Sequence, residues 1–159
     1  MKRWILWLAA AGAVLPIGAS AAEPADPIGA LLSGVASRIQ PFLETVGLKA
    51  TLYHSGAGGV GTRDALGCKV VPMRTAAVDS KQIPKGTLLY IRQTVGMPLP
   101  NGGVHDGYWY ASDTGGAIHK GRIDLFTGAT SASMTPLMTL NLTTLTVTEI
   151  GKFSGCPHE

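Results

Sequence analysis

Charge is scarce in this chain. Asp, Glu, Lys and Arg make up only 14% of its 159 residues, while 45% are hydrophobic. A chain held open by its own charge is therefore excluded, and the length suits one compact domain with a core. Aromatic residues reach only 6% and there are only two cysteines. The longest apolar run, Trp4 to Leu15, is shorter than the roughly 18 to 20 residues that a membrane-spanning helix requires. A P-loop, a dinucleotide fingerprint and a Gly-x-Ser-x-Gly elbow are all missing, so the common nucleotide and α/β-hydrolase signatures give no lead. What is abundant is glycine, with 21 residues, together with 10 prolines. That composition points to a loop-rich, β-rich fold and away from a helical bundle.

The formal charge is +3, but part of the surplus sits at the start of the chain. Lys2 and Arg3 precede the apolar run, Pro16 follows it, and Gly18-Ala19-Ser20-Ala21-Ala22 then offers small residues. This is the layout of a secretory signal peptide, with cleavage expected after Ala21 or Ala22. Without Lys2 and Arg3 the basic and acidic counts almost balance. The remaining chain has no electrostatic footprint for nucleic acid and no stable membrane anchor, and the expected compartment is periplasmic or extracellular.

In an oxidising compartment, Cys68 and Cys156 are most simply read as one disulfide, with two free thiols as the alternative. Neither cysteine lies in a Cys-x-x-Cys motif or beside a histidine, which argues against a catalytic thiol.

From Asp26 to Val46, residues Ile28, Leu31, Leu32, Val35, Ile39, Phe42 and Leu43 recur at three and four. The spacing predicts an amphipathic helix that Pro41 kinks or ends and Gly47 stops. Six short strands are predicted beyond it: Ala50–His54, Arg74–Val78, Leu88–Arg92, Tyr108–Ser112, Arg122–Phe126 and Thr144–Ile150. Glycine-rich turns separate them, and 128–139, rich in Ser, Thr and Met, reads as a surface excursion. Six short strands with long loops favour a closed barrel, since closure removes exposed edges. The organisation expected is a signal peptide at 1–22, a helical segment at 23–48 and a barrel domain at 49–159.

Two blocks carry chemistry. The first is Arg74-Thr75-Ala76-Ala77-Val78-Asp79, followed by Ile83-Pro84-Lys85-Gly86-Thr87. The second is Asp113-Thr114-Gly115-Gly116-Ala117-Ile118 followed by Arg122-Ile123-Asp124-Leu125-Phe126. In this order they resemble the 3D domain, named for three aspartates and found in membrane-bound lytic murein transglycosylase A and in stationary-phase survival muralytic proteins. The aspartates correspond to Asp79, Asp113 and Asp124. The resemblance implies a mainly β fold, a six-stranded double-psi β-barrel, which here follows an N-terminal helix, and such a barrel can hold two similar halves. It further implies cleavage of the β-1,4 bond between N-acetylmuramic acid and N-acetylglucosamine to leave a 1,6-anhydro sugar, with no cofactor and with peptidoglycan glycan strands as partner.

Such a reaction needs one carboxyl to protonate the leaving oxygen and then to take a proton from the C6 hydroxyl that attacks C1. Its pKa must be raised, and a second carboxylate in a partly dry cleft can raise it. By the resemblance Asp124 is the acid/base and Asp113 its partner. Asp79, Gly115, Gly116 and Lys120 are placed at the substrate, with Asp79 the more structural of the aspartates. An inserted His119 before Lys120 departs from the family pattern. The larger family members have a second domain that completes the groove, and this chain is expected to lack it. A non-catalytic, expansin-like wall-binding barrel is the rival reading. Local turn capping would explain Asp79 and Asp113 without catalysis, but it explains Asp124 poorly, because Ile123 and Leu125 flank it in a strand.

Tyr108 and Tyr110 share one strand face and Trp109 takes the other, so the tyrosines are candidates to stack on sugar rings, with mixed surface and barrel packing as the alternative, and Trp109 is a core residue. The histidines His54, His105, His119 and His158 lack metal-ligand spacing, and no metal is expected.

Overall fold

The computed structural model describes residues 28–32, 34 and 44–158. The predicted signal peptide and most of the predicted helix lie outside these residues, although 28–32 and 34 are helical. Strands run at Thr45–His54 (β1), Thr75–Val78 (β2), Thr87–Ile91 (β3), Tyr108–Asp113 (β4), Arg122–Gly128 (β5) and Thr144–Lys152 (β6). They close into a barrel in the order β1-β5-β2-β4-β3-β6.

The pairing is mixed. β1 runs parallel to β5 and β2 parallel to β4, whereas β1/β6, β2/β5, β3/β4 and β3/β6 are antiparallel. Advancing every strand by three turns β1/β5 into β4/β2 and β1/β6 into β4/β3, and leaves β2/β5 and β3/β6 as they are. The two halves are thus related by a pseudo-two-fold, as expected of a double-psi barrel.

Period-two alternation fills the interior. Leu48 and Ala50, Leu89 and Ile91, Ile123 and Leu125, and Leu145 and Val147 are all buried in one core. Trp109 is fully buried there, and its indole N–H donates to Thr94 Oγ1 at 3.0 Å.

β1 begins five residues before the predicted strand, and Gly47 lies within it rather than stopping a helix. The spacing of Val46 fits either period, but antiparallel pairing decides between them: Val46 lies opposite Val147 and Leu48 opposite Leu145. A Cβ on Gly47 would meet Thr144 Cγ2 at 3.2 Å, so glycine eases that close approach.

The segment read as a surface excursion is a 3-10 helix, Ser131–Leu140. Its Leu137 is fully buried in the barrel core. The low-charge sequence around Leu137 concealed an inward-facing anchor, which Leu140, packed against the same core, supports. Cys68 and Cys156 form a disulfide with a Cα separation of 5.5 Å, which ties the tail to the loop after β1.

A candidate active site on the outer barrel face

Because Ile123 and Leu125 enter the core, Asp124 projects from the opposite face of β5. It pairs with Thr51 on β1 and with Ala77 on β2. The carboxyl is half-buried, and among the described residues its Oδ1 is buried without a hydrogen-bond partner. Burial pushes its pKa up, the neighbouring Thr51 hydroxyl, whose own hydrogen bond goes to Ile123 O at 3.4 Å, works against this, and the charge of Asp113 pushes it further up. A carboxyl in this state can hold a proton that it is able to give away.

Asp113 reaches the same face through a bulge. On β4 the register with β2 runs Thr75 to Tyr110 and Ala76 to Ala111, then jumps to Ala77 opposite Asp113. In an uninterrupted register Asp113 would stand beside Val78, whose side chain points into the core. The extra residue puts both aspartates across from Ala77, one on each neighbouring strand. Two strand spacings, about 9 to 10 Å, separate their backbones, and Ala77 places only a methyl group between them.

Three donors fix the Asp113 carboxylate. Tyr53 O–H donates to Oδ2 at 2.8 Å, and the amides of Ala65 and Thr114 donate to Oδ1 at 3.1 and 2.8 Å. Burial, then Asp113 itself, pushes the Tyr53 phenol far above its ordinary value, so it remains a donor. Its ring packs against Phe126 with centroids 5.1 Å apart.

Sequence reasoning missed Tyr53 and also Asp64. Asp64 is buried, and its Oδ1 accepts the amides of Leu66 and Cys68 at 3.0 and 2.8 Å. It thereby shapes the loop that presents the Ala65 amide to Asp113. An Asp three residues before Gly67, whose φ is +83°, is a readable turn signal. Nothing local shows that the turn lands on Asp113.

Beside the pair lies a groove of about 720 Å³ lined by Asp79, Lys81, Thr114, Gly115, His119, Lys120 and Arg122, among others. The aspartate pair adjoins this groove at Thr114 and Arg122 but does not line it. Asp79 accepts the amides of Lys81 at 3.0 Å and Lys120 at 3.1 Å, so it ties the turn after β2 to the glycine loop. The Lys81 amide chiefly holds its carboxyl below the usual range, against a smaller opposing effect of desolvation. Positive φ is not found at Gly115 or Gly116 but at Gly121, with φ +75°. At Gly115 the requirement is space, since a Cβ would lie 2.9 Å from Ile118 Cγ1; Gly116 borders open space.

Tyr108 and Tyr110 stand apart from this groove. They line another pocket of about 250 Å³ with Arg74, Asp106 and His158. Tyr110 packs edge-on against Phe153, and its hydroxyl lies 3.0 Å from His158 Nε2. Trp109 is in the core, as its strand parity implied. His105 is also a core residue: Nδ1 accepts the Gly107 amide at 2.8 Å and Nε2 faces Met73 O at 2.7 Å. Burial lowers its pKa, consistent with a neutral ring. Among the described residues no group of three His, Cys, Asp or Glu side chains is placed to hold a metal ion.

Residues 74–135 match the family model of the 3D domain. No curated protein matches the chain. Similar solved structures include a variant of the E. coli lytic transglycosylase MltA, at 22% identity and a TM-score of 0.43, covering 62% of this chain and 30% of that one. The same figures describe the similarity to E. coli MltA with bound chitohexaose. Lytic transglycosylase LtgG of Burkholderia pseudomallei is similar at 25% identity and a TM-score of 0.42, covering 62% of this chain and 29% of that one. This chain therefore spans less than a third of the length of these proteins.

Proposed function

We propose that this chain, which carries the 3D-domain match over residues 74–135, is a lytic transglycosylase of peptidoglycan that works in the periplasm or outside the cell. The bond cut is the β-1,4 link between N-acetylmuramic acid and N-acetylglucosamine. The observation that carries this reading is the half-buried Asp124, with its raised pKa and an unpartnered oxygen, beside the firmly held Asp113.

Asp124 gives its proton to the departing glycosidic oxygen as the C1–O bond breaks. The C6 hydroxyl of the same sugar attacks C1, and its proton passes to the Asp124 carboxylate. The proton balance closes and no water is consumed. Asp113, held by Tyr53, Ala65 and Thr114, supplies the fixed negative charge that favours protonated Asp124 and offsets positive charge developing at C1. Asp79 shapes the groove wall through the turn and glycine loop.

Mass spectrometry of digested sacculi tests the reading. Anhydro ends released by the purified protein, and lost in Asp124→Asn, are expected. Co-sedimentation with sacculi without anhydro ends would instead leave a wall-binding barrel.

A further inference from the structure

We propose that the groove beside the aspartate pair binds a carboxylate carried by the amino-sugar substrate, using Lys81, Lys120 and Arg122. The inference rests on the peptidoglycan reading and names the part of the substrate that this groove recognises.

The groove holds more cation than its own acid can neutralise. The side chains of Lys81, Lys120 and Arg122 are exposed, and none of them forms an ion pair among the described residues. Asp79 is the groove's carboxylate, and its two oxygens are already engaged by backbone amides. Lys49, opposite Arg122 in the β1/β5 register, adds a further cation on the same outward face. An uncharged sugar needs neutral donors and acceptors, whereas a run of unpaired cations suits a carboxylate.

Position favours a substituent close to the reacting bond. Arg122 lies two residues before Asp124 on the same face of β5, and Thr114 follows Asp113 directly. The groove volume of about 720 Å³ is sufficient for a sugar ring with an acidic arm. Two sources supply such a carboxylate: the lactyl ether of a peptide-free strand, and the peptide stem attached to that ether.

Calorimetry of the full chain carrying Asp124→Asn, so that nothing is cleaved, separates these cases. The probes are chitohexaose, peptide-free glycan strands and peptide-bearing strands of similar length. Charged strands are expected to bind about tenfold more tightly than chitohexaose, with the margin shrinking as salt rises. A preference already complete on peptide-free strands identifies the lactyl carboxylate, and one confined to peptide-bearing strands identifies the stem. Adding Lys81→Gln with Arg122→Gln should remove the preference, while Lys81→Arg with Arg122→Lys should keep it. Equal binding of charged and uncharged strands, or a preference untouched by the glutamine pair, overturns the proposal. Its failure is distinct from failure of the lytic reading, which is decided by anhydro ends from the unsubstituted protein.

Discussion

The Tyr53 phenol donates to Asp113 Oδ2 at 2.8 Å, joining residues sixty positions apart. With the Ala65 and Thr114 amides it makes Asp113 a fixed acceptor. Asp124, with a buried oxygen lacking such a donor, is left as the carboxyl free to exchange a proton.

Tyr53→Phe should remove the phenolic donor and leave Asp113 with its two backbone amides. A hydrogen bond to a charged group is worth about 1.5 to 3 kcal/mol, and a stability loss in that range is expected from denaturant unfolding. Because Asp113 loses its fixed position, kcat on sacculi should also fall by roughly tenfold, from a loss of about 1.4 kcal/mol in transition-state stabilisation. Unchanged kcat would confine the contact to a structural role.

Asp124→Asn should abolish proton transfer, cutting anhydro-end release by roughly 10² to 10⁴. The folded state favours protonated Asp124 more than the unfolded chain does. Stability therefore falls as pH rises from the unfolded Asp value, about 3.9, through the raised folded value. The amide variant escapes that penalty. Its Tm should exceed that of the unsubstituted protein at pH 7, and the gap should close below about pH 4.

The rate requires protonated Asp124 at the start, so it should decline as pH rises through the raised pKa. Asp113→Asn removes the neighbouring negative charge, which is one cause of that rise. The alkaline limb of kcat/KM for this variant should therefore move to lower pH. A limb that stays in place would show that Asp113 does not tune Asp124.

Cys156→Ser should cost about 4 to 5 kcal/mol by the chain-entropy model, since the bridge spans 88 positions. Thiol titration of the native protein should find no reactive group. The loop carrying Cys68 also presents the Ala65 amide to Asp113, so activity should fall along with stability.

Leu137→Ala should destabilise by about 2 to 5 kcal/mol, the usual cost of a cavity at a buried leucine. A loss below about 0.5 kcal/mol, as at an exposed site, would contradict its place in the core.

The strands were legible where alternation survives, as in β3 and β6, and β2, buried at all four positions, was legible only as a short apolar run between turns. The end of β4 was not. Ala111-Ser112-Asp113 reads as plain alternation, and only the partner strand β2 reveals that two residues oppose Ala77. Asp79 could be read either as a turn former or as a site residue, and its amide partners supply the first role directly. Tyr108 and Tyr110 had the right chemistry for sugar stacking, yet their strand carries them to another pocket.

The succession of six short strands along the chain, the inward parity of Trp109, Ile123 and Leu125, the pairing of the two cysteines and the motif around three aspartates were all contained in the sequence. They follow from local pattern and composition, which a single chain records directly. Tertiary structure decided which carboxylates meet, because a bulge and a parallel pairing act between segments far apart in the chain. It also brought Tyr53 and the Asp64 turn to Asp113, and set the cations of the turn after β2 and of the glycine loop beside Arg122 along one groove. Charge is scarce along the chain, but the closed barrel brings Asp113, Asp124, Lys120 and Arg122 close together on one outer side, where burial and proximity give them chemical effect.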